Sequence, residues 1–253
     1  MKKLLSIAVC AAAVAAYGTD PDPVTLGTVG VTAVTCSTTN AIIAVSYGDL
    51  AMGGNAMTVS NLVKTANLKA NDQLHVYDES AGTFTVFTLE GADGSAKFWR
   101  ETETFTLNDG SSTVKADPAA TTRAPGYGIW LIRGSGWATS GYPAFTFYLY
   151  GSPDVTLPTT VGTAISIPAG SVKLLGNPKS VAAKPTVTNI GTYDRIIVPA
   201  SSLTGTKIYT WNANDEKWYS GLGTRKVELS VPAGAGFWYS ATDTGSARQL
   251  YWE

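Results

Sequence analysis

His75 is the only histidine of the chain, so any nucleophile activated by an imidazole base depends on it. A later segment of similar pattern carries Tyr209 at the corresponding place, and a phenol cannot act as a general base near neutral pH. No Gly-x-Ser-x-Gly elbow occurs, and the run from Gly134 to Gly136 lacks its spacing and context. We therefore predict that His75 is an ordinary strand residue.

Paired carboxylates are the second group of residues to consider, because two of them suffice to cleave a glycosidic bond. The candidate pairs are Asp78 with Glu79, Glu101 with Glu103, and Asp215 with Glu216. An exposed hairpin edge explains the Glu101 and Glu103 pair better than a cleft does. We predict no catalytic residue and no enzyme activity.

Histidine and cysteine, the commonest zinc ligands, are scarce. Beyond residue 16 the chain has only His75 and Cys36, which makes a zinc site very unfavourable. Residues 212–216 are rich in side-chain oxygens, as in a calcium loop, but they lack its glycine and its trailing glutamate. We predict a hairpin turn there, with no metal and no cofactor.

Aromatic side chains are the remaining chemical signal, with 7 Trp, 12 Tyr and 7 Phe. Exposed rings on a rigid sheet would suit sugar rings or a protein partner. Trp137, Tyr142 and Trp252 lie in glycine-rich or terminal context, so we expect them to be exposed and regard them as candidate binding residues.

Most other prominent aromatics belong to an internal repeat. Residues 72–84 align without a gap with 206–218 at an offset of 134, and a Gly-x-Gly-x-Trp motif at 126–130 recurs at 234–238 at an offset of 108. The first copy thus holds an insert of about 26 residues. Such a repeat indicates a duplicated structural unit. Its paired residues are Tyr77 and Trp211, Phe84 and Trp218, Gly126 and Gly234, Gly128 and Gly236, and Trp130 and Trp238.

The repeated glycines do not form a nucleotide loop. A dinucleotide loop opens a helix, whereas β-branched and aromatic residues follow these glycines. We predict tight turns with positive φ that admit Trp130 and Trp238 to a core. Cross-strand pairing accounts for the hairpin aromatics.

The elements that position these residues are strands. Apolar and polar residues alternate along many short segments, and no long window beyond residue 16 has a sustained 3.6-residue period. We predict an all-β fold of two related β-sandwich or barrel-like units built from antiparallel hairpins. The first unit is expected at 25–134 and the second at 135–253, with middle strands at 145–178 that either unit can share.

The first 16 residues place two lysines before an apolar run that ends in small residues, which is typical of a signal peptide cleaved before Tyr17. A lipoprotein acylated at Cys10 is the weaker alternative. Residues 17–24 are expected to form an extended tether. We therefore predict a secreted or cell-surface protein with no membrane span in the mature chain.

The net charge of the chain indicates which kinds of partner are unfavourable. Loss of Lys2 and Lys3 removes two positive charges from a net charge of −1, which leaves −3. A weakly acidic chain disfavours nucleic acid and anionic lipid. Cys36 alone cannot form an internal disulfide, so a packed core must supply the stability.

Several short motifs are familiar. The segments at 174–178, 205–211, 217–218 and 232–238 resemble a β-rich unit of secreted and surface proteins of Gram-negative bacteria, in which a "GNP" turn precedes "G(D/T)xIYxW", a second aromatic residue and "PGxGFW". The N-terminal half is similar to uncharacterised secreted proteins that occur as sets of related copies. The first copy departs from the pattern, since His75 stands for Tyr209 and an insert precedes Pro125. The resemblance implies a β-rich, surface-associated protein and assigns no chemistry.

These observations favour a secreted structural or cell-surface interaction protein that assembles with itself or with other surface proteins. The terminal strand near Trp252 would suit strand-edge addition between subunits. The alternative is a glycan-binding module that uses exposed aromatic residues.

Overall fold

The computed structural model shows an all-β protein, which confirms the predicted fold class. It describes residues 30–36, 40–47, 57–58, 71–79, 81–90, 98–101, 122–134, 145–152, 156–199, 206–221 and 225–253. Every strand pair in these ranges is antiparallel. The single helical segment described is a 3-10 turn, Val161–Thr163. Within these ranges no helix is long and apolar enough to cross a membrane.

A five-stranded sheet forms the first unit. Its strands in chain order are β2 (Asn40–Ala44), β4 (Gln73–Asp78), β5 (Thr83–Glu90), β6 (Phe98–Glu101) and β8 (Gly128–Ile132). The order across the sheet is β2-β8-β4-β5-β6. Two smaller pairs accompany it: β1 (Gly30–Cys36) with β9 (Phe145–Gly151), and β3 (Met57–Thr58) with β7 (Thr122–Arg123). Strand β9 thus follows the first sheet in sequence but pairs with the N-terminal strand.

The second unit combines two sheets. One has six strands: β11 (Val172–Gly176), β13 (Arg195–Val198), β14 (Lys207–Asn212), β15 (Lys217–Ser220), β16 (Arg225–Val227) and β17 (Gly236–Ser240). The other has three: β10 (Ile165–Ile167), β12 (Pro185–Thr188) and β18 (Arg248–Trp252). The order across the first is β11-β17-β13-β14-β15-β16, and across the second β10-β18-β12.

Each unit has its own hydrophobic core. In the first, Leu74 and Val76 of β4 are buried with Phe87, Ile129 and Leu131, while the intervening residues of β4 are only half-buried. This alternation follows from the two-residue period of a strand. In the second, side chains from the three-stranded sheet pack with those of the six-stranded sheet, as in a sandwich.

Trp252 belongs to this second core. Its side chain is fully buried, and its ring centroid lies 5.9 Å from that of Phe237. The prediction that Trp252 is exposed is therefore wrong. Strand β18 also lies between β10 and β12, so the expectation that the terminal strand offers a free sheet edge is wrong as well. The C-terminal position gave no sign of this, because a terminal strand can pair on both sides.

The strands that carry the two glycine motifs occupy similar positions in their sheets, but the hairpins aligned in the sequence do not. Strands β8 and β17 share one burial pattern, and each lies beside an edge strand, β2 or β11. Strand β4 pairs directly with β8, whereas β13 separates β14 from β17. Position by position, β4 therefore corresponds to β13.

Two flanking residues support that correspondence. Asn71 and Tyr193 both have positive φ, 70° and 69°, and each precedes a fully buried aspartate, Asp72 or Asp194. The gap-free alignment at an offset of 134 thus matches two hairpins that occupy different sheet positions. An aromatic pair across a tight turn satisfies a local need of any hairpin, so it does not fix the position in the sheet.

Candidate functional site

The two units join where the repeated glycine motifs meet. The amide of Ala44 donates to the carbonyl of Gly234 at 2.8 Å, and the amide of Gly176 donates to the carbonyl of Gly126 at 2.9 Å. Each unit thus offers the same edge strand to the glycine turn of the other. The arrangement is a pseudo-twofold contact between β2 and β8 on one side and β11 and β17 on the other.

The first glycine of each motif makes the turn. Gly126 has φ of 86° and Gly234 has φ of 69°, values that residues with a side chain rarely adopt. The predicted tight turns with positive φ are confirmed at both positions.

The second glycine of each motif lets its backbone lie close to the neighbouring residues at the joint. A Cβ atom on Gly236 would lie 2.3 Å from Cγ2 of Ile42 and 2.6 Å from the carbonyl oxygen of Leu175. On Gly128 the corresponding distances would be 2.9 and 3.0 Å. A side chain at Gly236 would displace Ile42 of the first unit, and one at Gly128 would crowd Leu175 of the second, so the spacing of the motif is a packing requirement.

An aromatic cluster, formed by His75, Tyr77, Phe84, Trp130 and Trp238, covers one side of this joint. The rings of Trp130 and Trp238 lie 6.4 Å apart at 90°, and Trp238 also meets Phe84 at 5.7 Å and Tyr77 at 5.4 Å. Edge-to-face pairs of this kind are worth about 0.5–1.5 kcal/mol each beyond their burial. The cluster therefore holds the first unit's hairpin against the second unit.

This placement corrects one prediction. Trp130 and Trp238 are half-buried and lie between the units, outside both hydrophobic cores, so the expectation of core burial is wrong. The sequence motif predicted the turn but could not show that the indole after it faces a second copy of the same motif.

His75 is part of the aromatic cluster. Its Nε2 lies 3.1 Å from Oε1 of Gln73, and its ring meets Phe84 at 5.7 Å and Trp130 at 5.8 Å. The residue is half-buried in a strand and surrounded by aromatic rings. These contacts give it a packing role.

Two of the carboxylates named from the sequence, Glu79 and Asp215, form hydrogen-bonded or ionic pairs. Glu79 accepts two hydrogen bonds from the guanidinium of Arg123, at 2.6 and 2.9 Å. Asp215 accepts a hydrogen bond from the hydroxyl of Tyr219 and lies 3.7 Å from the ammonium of Lys226. The hydrogen bond from Tyr219 lowers the pKa of Asp215.

The structure also tests the turn and the metal site considered at residues 212–216. The turn predicted at 212–216 is confirmed, since it joins β14 to β15 and Oδ1 of Asn212 accepts the amide of Asn214 at 2.9 Å. Among the described residues, no group of three or more His, Cys, Asp or Glu side chains is placed to hold a metal ion. The structure does not describe three of the residues named from the sequence: Glu103, Trp137 and Tyr142. It also does not describe the side chains of Cys36 and Glu101.

The hairpin of β14 and β15 borders two clefts, and Trp211 lines both. Its ring lies 5.3 Å from that of Trp218 across the hairpin. Trp218 is buried in the core, while Trp211 is half-buried with a face toward the surface. The predicted aromatic pair across this hairpin is therefore present, and one of its rings is accessible.

The first cleft has a volume of about 480 Å³. The cleft is also lined by Trp211 and Trp218. Its two positive and two negative residues balance in charge: Lys184, Lys217, Glu216 and Glu228. The second cleft has a volume of about 360 Å³ and lies around Tyr193, Arg195 and Tyr219. Sequence reasoning missed this second group, because Tyr193 and Arg195 belong to no repeated motif.

A buried ion pair supports the wall of the second cleft. Asp194 and Arg248 are both fully buried, and the guanidinium donates to both carboxylate oxygens at 2.8 Å. Burial acts to raise the pKa of Asp194, but hydrogen bonds from Arg248, Thr242 and Gly191 outweigh it, so the pKa is lowered. Burial, together with the negative charge of Asp194, raises the pKa of Tyr239, whose hydroxyl donates to the same carboxylate.

Comparison of the chain with family models, with curated proteins and with solved structures found no match. The resemblance to secreted β-rich bacterial proteins therefore stays a prediction from sequence motifs. What the geometry defines is an antiparallel β scaffold of two joined units, with aromatic clefts on the second.

Proposed function

We propose that this protein is a secreted or cell-surface interaction protein, which acts by binding and by structural assembly and not by catalysis. The leader at 1–16 and the resemblance to exported bacterial proteins support the location. The folded chain supplies a rigid support on which contact surfaces are held.

The observation that carries this proposal is the use of the repeated residues. The glycines at 126, 128, 234 and 236 shape the joint, and the aromatic cluster packs over it. Because these residues pack between the two sheets, their role is to build a scaffold. In a reaction site, the corresponding residues would have to face a substrate.

The proposed assembly with further copies has a location that differs from the sequence prediction. Strand β18 is interior, and the outer strand β16 carries Arg225 and Lys226, both exposed, which discourages strand addition. Within the described residues, β6 is the outer strand at the far end of the first sheet. We assign the contact between copies to β6.

Export and assembly are tested on the chain expressed with its leader. N-terminal sequencing of the mature protein should begin at Tyr17, and light scattering should show a mass that rises with concentration. Glu101→Pro in β6 should reduce that rise, whereas Lys226→Pro in β16 should leave it unchanged, since each proline removes an N–H that faces outward from the sheet edge and not toward the neighbouring strand. A protein retained in the cytoplasm, or one monomeric at every concentration, would refute the corresponding part.

Glycan binding is a second candidate function, favoured by the accessible face of Trp211 between two polar-rimmed clefts. The test is electrophoresis of the mature protein in gels that contain a polysaccharide. Trp211→Ala should abolish retardation, and Trp211→Phe should preserve part of it, because phenylalanine keeps an apolar face against Trp218. Equal retardation of wild type and Trp211→Ala would count against this function.

A further inference from the structure

Tyr193 occupies a backbone conformation that tyrosine disfavours. Its φ is 69°, in the left-handed region, where a bulky residue is uncommon and asparagine is tolerated. The corresponding position of the first unit indeed holds Asn71, with φ of 70°. The scaffold requires this backbone shape in both units, but it does not require a tyrosine.

The ring of Tyr193 also contributes little to packing, because 67% of the residue's surface is exposed. Its backbone, in contrast, is fixed: the amide of Tyr193 donates to the carbonyl of Trp211 at 3.1 Å, and the amide of Trp211 donates to the carbonyl of Asp194 at 2.9 Å. A large ring is thus held in place at the edge of the second cleft. Strain without a packing benefit indicates a role at the surface.

The chemistry around this ring selects a ligand class. Asn212, Asn214 and Thr210 line the cleft together with Tyr193 and Trp211. Amides and hydroxyls beside exposed aromatic faces suit a sugar ring, whose hydroxyls bond at the edge and whose C–H face stacks.

The charge of the second cleft indicates which kind of saccharide it would bind. Arg195 is exposed and is the one charged residue among those that line this cleft in the described part of the chain. The first cleft, with two lysines and two glutamates, has no such bias. A guanidinium binds a carboxylate in a planar, bidentate geometry.

We propose that the second cleft binds an acidic saccharide, with a sugar ring stacked on Tyr193 and its carboxylate bound by Arg195. This site rests on the glycan-binding function proposed above. The tyrosine at a left-handed position is retained for ligand contact, at the expense of backbone strain.

The test compares four forms of the mature protein in gels containing polygalacturonate or neutral dextran: wild type, Tyr193→Asn, Tyr193→Phe and Arg195→Gln. Wild type should be retarded by polygalacturonate more than by dextran. Tyr193→Asn should weaken binding by about tenfold, because the aromatic face on which the sugar ring stacks is lost. The same variant should raise the melting temperature by roughly 1–4 °C, since asparagine relieves the strain.

The other two variants separate stacking from charge. Tyr193→Phe keeps the ring and should bind within about threefold of wild type. Arg195→Gln should reduce retardation by polygalacturonate to the level seen in dextran.

Five outcomes would overturn the proposal. Retardation of Tyr193→Asn equal to wild type would show that the ring makes no ligand contact, and a lower melting temperature of that variant would show that the ring has a structural role. Equal competition by poly-L-glutamate would assign the cleft to acidic peptides. Stronger retardation of wild type by dextran would exclude the acidic class. Absence of retardation in every polysaccharide would remove glycan binding altogether, whereas binding that is insensitive to Tyr193→Asn would remove only this site.

Discussion

Replacing Asp194 with asparagine should strongly destabilise the fold. Oδ1 of Asp194 accepts hydrogen bonds from the amide and hydroxyl of Thr242 and from Nη2 of Arg248. Oδ2 accepts them from the amide of Gly191, the hydroxyl of Tyr239 and Nε of Arg248. Whichever way the new amide turns, its NH₂ group faces three donors, and the guanidinium of Arg248 stays buried without a counter-charge.

The expected magnitude follows from that burial. Removal of one partner from a buried, hydrogen-bonded ion pair costs about 3–5 kcal/mol of unfolding free energy. At about 2–4 °C per kcal/mol for a chain of this size, the melting temperature should fall by roughly 6–20 °C. Arg248→Met should cost a similar amount, because it leaves the buried Asp194 carboxylate without its cation.

The assay is urea unfolding followed by tryptophan fluorescence, with Asp194→Asn, Arg248→Met and the double variant. The double variant should lose clearly less than the two single losses together, by about 0.5–3 kcal/mol, since each single change isolates a buried charge. Asp243→Asn, at an exposed carboxylate near Thr242, is the control and should stay within about 0.5 kcal/mol of wild type. Single losses below about 1 kcal/mol, or losses that simply add, would refute the assignment of a coupled buried pair.

Three further predictions concern the same scaffold. The unfolding free energy should fall as pH drops below about 4, because the pKa of Asp194 is lowered in the fold. It should fall again as pH rises above about 10, because the pKa of Tyr239 is raised in the fold. In urea titrations at a series of pH values, Tyr239→Phe should reduce the loss on the alkaline side. Gly236→Ala should cost about 1–3 kcal/mol by overpacking against Ile42, whereas Gly162→Ala, whose added Cβ meets no atom closer than 3.8 Å, should be neutral by thermal melts. Trp252→Ala should cost about 3–5 kcal/mol by thermal melts, and unchanged stability would contradict its core placement.

Local features of the fold could be predicted from the sequence. Alternating residues indicated strands, the turn at 212–216 followed from its asparagines, and positive φ followed from Gly126 and Gly234. Each of these depends on interactions within a few residues along the chain. Local chemistry of that kind is readable in a sequence.

Non-local features could not be predicted. Asp194 and Arg248 are 54 residues apart, and only sheet pairing brings them together. Trp252 appeared exposed because chain position carries no information about the strands on either side of β18. The strain at Tyr193 was equally hidden, since it arises from a sheet position shared with Asn71 and not from its own neighbours.

The claim on which the rest depends is that the repeated glycine and aromatic residues hold the two units together as one folding unit. Differential scanning calorimetry of the mature chain tests it most directly. We expect a single transition, with a calorimetric enthalpy equal to the van't Hoff enthalpy. Two separate transitions, or a calorimetric enthalpy near twice the van't Hoff value, would show that the units fold independently and would contradict this claim.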